Sequence, residues 1–190
     1  MSVKLLVFAG SLRRDSYNKR LARAAAQAAE AAGATVTHIE LNDYPMPIYD
    51  GDLEATEGPP LNAFRLQELI AEQHGLIVAS PEYNHSIPAL LKNTLDWVSR
   101  TPRVRGANPF AGKPALILSA SPGDLGGIQG QDHLRRVLTT VGALVLPQTL
   151  ALPRADAAFD AEGRLREPEL QERLDRLVRQ LVRVAARLAD

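Results

Sequence analysis

Two rhythms of apolar residues alternate along the chain. Short, largely apolar runs stand at Val3 to Ala9, Gly75 to Ser80 and Pro114 to Ala120, the mark of strands buried on both faces. Thr35 to Leu41 predicts another strand, and Ala143 to Leu146 a fifth that resumes near Leu150. Between these runs the apolar spacing lengthens to three and four. Asn18 to Ala32 predicts a helix whose inward positions are mostly Ala, with Leu21, and Gly33 stops it. Leu61 to Gln73, the stretch carrying Leu90, Leu91, Leu95 and Val98, Gln129 to Val141 and Glu167 to Ala189 predict four more helices. Asn42 to Pro60, rich in Pro and Asp, is expected to be a long irregular connection, and such loops are often functional.

Five strands alternating with five helices imply a parallel α/β sheet covered on both sides, because right-handed crossovers place the helices there. Ligands of such sheets sit beyond the carboxyl ends of the strands, near a topological switch point. Three loops occupy those ends here: Gly10 to Asn18, Pro81 to Ser86, and Ser121 to Gly127.

The first loop is suited to a phosphate. Ser11, Ser16, Asn18 and the guanidinium of Arg13 gather where a helix N-terminus already favours an anion. Neither G-x-x-x-x-G-K-[ST] nor G-x-G-x-x-G is present, so a single phosphate monoester fits better than a triphosphate. Taken alone, Ser16 or Asn18 would read as a helix cap. Pro81, Glu82, Tyr83 and Asn84 read as a turn, with Ser86 and Pro88 opening a helix, yet an aromatic among polar groups also suits a flat heterocycle. Gly126 and Gly127 either relieve crowding or admit a ligand to the backbone, with Ser121 beside them.

Composition narrows the partners. The 190 residues carry 22 Lys plus Arg and 22 Asp plus Glu, so no overall field draws the chain to nucleic acid or to a membrane surface. No Cys is present, which excludes disulfides and thiolate chemistry and is compatible with a reducing cytoplasm. Met1-Ser2-Val3-Lys4 leads into a core strand rather than a signal segment, and no run approaches transmembrane length. His38, His74, His85 and His133 lack metal-ligand spacing, so no metal site is expected. Arg100, Arg103 and Arg105 are either solvated or hold a nucleotide phosphate. The stripe of Leu90, Leu91, Leu95, Trp97 and Val98 is wider than one sheet contact requires, which leaves Trp97 as a core residue or as a face toward a second subunit.

In their order along the chain, Gly10-Ser11-Leu12-Arg13 with Ser16 and Asn18, then Ser80-Pro81-Glu82-Tyr83-Asn84 with Pro88, Lys92-Asn93 and Asp96-Trp97, and Ser119-Ala120-Ser121 with Gly126-Gly127, resemble the NADPH-dependent FMN reductase family. The likeness runs over roughly residues 3 to 147, and it is to the small bacterial quinone and chromate reductases in particular.

The resemblance implies an α/β, flavodoxin-like three-layer sandwich with a five-stranded parallel sheet in the order 2-1-3-4-5, helices on both faces, and one FMN-binding reductase domain over residues 1–190. It implies FMN as cofactor, bound by Ser11, Arg13, Ser16 and Asn18 at the phosphate, by Pro81, Glu82, Tyr83 and Asn84 at the ring, and by Ser121, Gly126 and Gly127 at a third loop. It also implies NADPH or NADH as co-substrate, a small-molecule electron acceptor such as a quinone, chromate, an azo or nitro compound or free flavin, and a cytoplasmic homodimer or homotetramer. Hydride would pass through the flavin by a ping-pong mechanism, with no catalytic residue beyond the cofactor. The chain departs from the family's pattern at Asp124-Leu125 and Gln129-Gly130, which bears on the choice of acceptor. A flavodoxin would normally show a strongly acidic face, and a receiver domain would need acidic residues after the first strand; neither pattern is present. A supplier of free reduced FMN, with flavin as substrate, stays open.

Overall fold

The computed structural model describes residues 2–102 and 108–189. Its strands are β1 (Lys4–Ala9), β2 (Thr35–Glu40), β3 (Gly75–Ala79), β4 (Pro114–Ala120), β5 (Leu144–Val145) and β6 (Leu150–Leu152). All pair in parallel, in the order β2-β1-β3-β4-β5, and β6 also pairs with β4. The helices are α1 (Tyr17–Ala31), α2 (Gly51–Glu57), α3 (Leu61–Ala71), α4 (Ala89–Arg100), α5 (Ile128–Thr140) and α6 (Pro168–Leu188). The expected flavodoxin-like sheet is therefore present, with its fifth strand broken into two short pieces.

Side chains of a strand alternate between faces, and here each face has its own core. Leu5, Val7, Ile77, Leu116 and Leu118 pack with Leu21 of α1 and Leu174, Val178 and Leu181 of α6. Leu6, Phe8, Leu76, Val78 and Ile117 pack with Leu66 and Ile70 of α3, Leu91 and Leu95 of α4, and Leu134 and Leu138 of α5. Because β3 and β4 lie between two helical layers, every one of their residues is buried. The inner face of α1 consists largely of Ala22, Ala24, Ala25, Ala26 and Ala29, which seats the helix close to the sheet.

Two elements differ from the sequence expectation. Within the supposedly irregular Asn42 to Pro60, Leu41–Asp43 forms one 3₁₀ turn and α2 forms a short helix with no buried residue. Its hydrophobic period is absent, and polar contacts hold it instead: Asp50 caps it through the N–H of Asp52 at 2.9 Å, and Glu54 takes Arg100 Nε at 2.7 and 2.6 Å. Trp97 is fully buried, donates from Nε1 to the Pro47 carbonyl at 2.8 Å, and meets the Tyr49 ring edge-on at 5.0 Å. The Pro-rich connection covers it, so Trp97 does not face a second subunit.

The edge strand β2 is tied down by charge. Lys19 of α1 bonds Glu40, Arg23 reaches the same carboxyl at 3.0 Å, and Lys19 also donates to Asn42 at 3.2 Å. Partial burial alone would raise the Glu40 carboxyl, but the hydrogen bond and charge of Lys19 with the charge of Arg23 outweigh it and hold the group below its ordinary 4.5. A carboxylate depressed in the fold stabilises it fully above 4.5 and loses that contribution as the pH falls through the lower folded value. Glu40→Gln is expected to cost between the ~1 kcal/mol of an exposed pair and the ~3 kcal/mol of a buried one at neutral pH. Urea unfolding at pH 7 and again well below 4.5 checks it: the gap between parent and variant must close in acid, and a gap of constant size would contradict the assignment.

Candidate flavin site

Strands β1, β3 and β4 stop level with one another, and the ladder runs one residue beyond each pair. Gly10 N–H reaches the Ala79 carbonyl at 2.9 Å, Ser80 N–H the Leu118 carbonyl at 2.9 Å, and Ser121 N–H the Leu152 carbonyl at 3.1 Å. The three loops then leave from a common edge. They enclose a groove of about 120 Å³ lined by Ser11, Arg13, Ser16, Tyr17, Asn18, Pro81, Glu82, Tyr83, Ala120, Ser121 and Pro122. The sheet thus brings together members of all three predicted sets. Asn84, Gly126 and Gly127 stand just outside the lining. A larger cavity, 710 Å³, lies beside α6, between Arg173, Arg176, Arg179 and Arg183 of that helix and Ala32 and Gln148. Its walls are mainly the side chains of one helix, so the chemistry favours the smaller groove, where groups from three loops converge.

At one end of the groove lies the N-terminus of α1. Ser16 caps the helix, accepting from Lys19 N–H at 3.4 Å, and the first turn holds no acidic residue to offset the dipole. Ser11 Oγ accepts from Arg13 N–H at 3.3 Å, which folds the loop back on itself. The Arg13 guanidinium lies 5.2 Å over the Tyr17 ring. Asn18 bridges two elements, since its Nδ2 donates to the Ala120 carbonyl and its Oδ1 accepts from Ala120 N–H, both at 2.9 Å and both buried. That double bond locks α1 to the end of β4. It engages the amide oxygen and one of the two amide hydrogens, so at most one donor of Asn18 is left for a ligand.

The second loop is a tight hairpin turn. Tyr83 and Ser86 exchange backbone bonds of 2.9 and 3.0 Å, and Asn84 and His85 both take positive φ, 50° and 60°, as a two-residue type I′ turn requires. Pro81 is buried beneath it and Tyr83 is exposed. Glu82 turns inward to accept from Gly130 N–H of α5 at 2.7 Å, and Ser86 Oγ lies 2.9 Å from His133 Nδ1.

The third loop depends on its glycines. Gly126 has φ 61°, and a Cβ there would stand 2.8 Å from the backbone of Leu152 and Pro153. Beneath it Ser119 Oγ donates to the Gly126 carbonyl at 2.7 Å, and Gln131 donates to Ser119 Oγ at 2.6 Å and to the Leu150 carbonyl at 2.8 Å. Ser121 Oγ accepts from Gly123 N–H at 3.2 Å and shapes the turn above.

Arg100 is engaged within its own chain. Bound by Glu54, it also stacks 5.1 Å over the ring of Tyr49, whose hydroxyl donates to Glu54 at 2.9 Å. That bond, aided by burial, holds the Tyr49 hydroxyl above its ordinary pKa. Arg103 and Arg105 lie outside the described residues. Sequence reasoning missed the contacts of Glu82 with Gly130 and of Ser86 with His133; the signal for the first was a helix, α5, without a side-chain cap of its own.

Comparison with known proteins agrees with the family resemblance. A family model described as NADPH-dependent FMN reductase matches residues 3–157. A quinone reductase of Escherichia coli is 40% identical over 152 residues, 77% of this chain and 76% of that one. An NAD(P)H-dependent FMN reductase of Pseudomonas aeruginosa is 40% identical over 173 residues, 90% and 88% of the two chains. The solved structure of FerB, a flavoenzyme NAD(P)H:(acceptor) oxidoreductase of Paracoccus denitrificans, superposes with a TM-score of 0.79 at 28% identity over 97% of this chain and 98% of that one.

The two loop residues Ser16 and Asn18 separate by stability. Ser16→Ala removes a cap and is expected to cost about 1 kcal/mol. Asn18→Ala leaves a buried N–H and a buried carbonyl of Ala120 unpaired, at about 1–3 kcal/mol each. Urea midpoints of the flavin-free protein, compared at equal m-value, must fall further for Asn18→Ala. Equal losses would contradict the greater weight given to the Ala120 pairing.

Proposed function

Because the chain belongs to the NADPH-dependent FMN reductase family, we propose that this oxidoreductase carries electrons from NAD(P)H, through FMN held at the carboxyl edge of its sheet, to quinones or similar small acceptors. Chromate, azo and nitro compounds and free flavin belong to the same class of acceptor. The observation that carries this reading is the convergence of Ser11, Arg13, Ser16 and the uncompensated N-terminus of α1 at one end of a groove whose other walls are the Pro81–Tyr83 segment and Ala120–Pro122.

That donor set fits a phosphate monoester. Two hydroxyls, a guanidinium and the free N–H groups of a helix's first turn match its charge and its acceptor oxygens. Ser11, Arg13, Ser16 and the remaining donor of Asn18 would hold the phosphate; Pro81, Tyr83, Asn84 and the Ser121–Gly127 loop would border the ring. When bound, FMN supplies the hydride chemistry. The chain's part is to bind, to orient, and to leave one face free for nicotinamide and acceptor in turn. Glu82, the acidic residue among those lining the groove, is engaged by Gly130, so the reading assigns no essential general base. A shared open face favours ping-pong exchange, in which the oxidised nucleotide leaves before the acceptor enters.

A homodimer or homotetramer accompanies the reading. Exposed Leu12, Tyr83, Leu125 and Ile128, set on the three loops and the start of α5, supply apolar surface for a second copy, though Trp97 contributes nothing to it.

Four measurements test the proposal. Ser16→Ala, which keeps the Asn18 lock, should weaken FMN binding roughly tenfold to a hundredfold in equilibrium dialysis, the value of one charge-assisted hydrogen bond. Anaerobic NADPH or NADH should bleach the flavin band and a quinone should restore it, with parallel double-reciprocal lines in steady state. Absence of bleaching by either nucleotide would move the chain to the flavodoxin-type electron carriers, and intersecting lines would refute the ping-pong order. Light scattering should find at least a dimer, and a monomer at high concentration with full activity would dismiss the oligomer.

A further inference from the structure

Helix α5 begins without the usual means of satisfying its first N–H groups. Its N-cap is Gly127, at φ 86°, which has no side chain to accept from the helix. The acceptor comes from elsewhere. Glu82, 48 residues earlier and on the hairpin loop after β3, places Oε2 2.7 Å from Gly130 N–H, the third residue of the helix. Its side chain is only 15% exposed, and its other oxygen, Oε1, lies 3.6 Å from His85 Nδ1 across the hairpin.

The surrounding packing allows this approach and little else. A Cβ on Gly130 would stand 3.2 Å from the Ser86 carbonyl oxygen and 3.3 Å from Glu82 Cβ, and one on Gly127 would stand 3.1 Å from Ser119 Cβ. The hairpin backbone therefore rests directly on the first turn of α5. One turn further on, His133 and Ser86 make the second attachment.

We propose that Glu82 is a positioning residue: by capping α5 from outside, its carboxylate clamps the Pro81–Ser86 loop to the start of α5, where the Ser121–Gly127 loop ends, and so fixes the spacing of two loops whose first residues, Pro81–Tyr83 and Ser121–Pro122, line the flavin groove. The proposal rests on the reading of the groove as the FMN site. It assigns the Glu82 side chain to the protein's own backbone rather than to the flavin ring. A helix N-terminus favours a negative acceptor, and the clamp joins segments that no ladder connects directly. Tyr83, Asn84 and His85 then occupy a turn whose left-handed pair is held from below.

The test compares Glu82→Gln, whose amide oxygen still accepts from Gly130 N–H, with Glu82→Ala, which removes the acceptor. Hydrogen exchange of the Gly130 amide in flavin-free protein reads the cap; FMN affinity by fluorescence titration and the visible spectrum of the bound flavin read the groove. Glu82→Ala should exchange Gly130 at least tenfold faster, weaken FMN at least tenfold and shift the flavin band. Glu82→Gln should stay within about threefold of the parent on both scales. A Gly130 amide that exchanges alike in all three proteins overturns the cap. Faster exchange in Glu82→Ala with unchanged affinity and spectrum overturns the positioning role. Equal loss of affinity in Gln and Ala overturns it too, because the ring would then be sensing the charge itself. A parent protein whose fluorescence titration shows no FMN uptake, with the cap still present by exchange, overturns the underlying site reading and the positioning role with it.

Discussion

The end of β4 holds a peptide that the sheet cannot pair, and Asn18 pairs it. On the β3 side the last ladder bond runs from Ser80 N–H to the Leu118 carbonyl; the chain then turns away at Pro81, which has no N–H to offer. Ala120 is left with a donor and an acceptor in a buried place, where an unmet peptide group is costly. An asparagine is the one-residue equivalent of a peptide edge, and Asn18 meets both groups at 2.9 Å. Since the same residue sits in the first turn of α1, closing the sheet and aiming the helix N-terminus are a single event. The anion-favouring end of the groove is located by a backbone requirement.

Polar locks of this kind recur in the chain. Ser119 and Gln131 hold the Gly126 carbonyl, Glu82 holds Gly130, and Arg100 with Tyr49 holds Glu54. Each uses a side chain where no backbone ladder is available, over seven residues for Ser119 and Gly126 and over more than forty for the other two. The apolar cores on the two faces set the layers; these contacts set the loops that project beyond them.

Much of the layering was legible from the residues. The runs of β3 and β4, apolar but for the buried Ser119, have no solvent face to encode, and the alternate positions of β1 divide between two cores as a buried parallel strand must. The three loops at the strand ends were legible because Ser, Asn, Gly and Pro cluster there. Helix α2 was not, since Gly51–Glu57 buries nothing and leaves no periodic trace. The place of Trp97 was also hidden, because its partner Pro47 stands 50 residues away in an irregular segment. Glu82 and Asn18 stand out as candidate site residues from their neighbours in sequence, but their hydrogen-bond partners, Gly130 and Ala120, follow only from the packing of the sheet.

The alanine face of α1 works as a shim. Ala22, Ala25 and Ala29 are wholly buried, and their small size determines how far the helix axis stands above the strands. Side chains one or two carbons longer would lift the whole cylinder, and tightly packed interiors yield little to absorb such a change. Ser16 and the first turn would rise with it while Ser80 and Ser121 stayed with the sheet. The depth of the groove's anion-favouring end is thus written in methyl groups up to three helical turns from it, on residues that would touch no ligand at all.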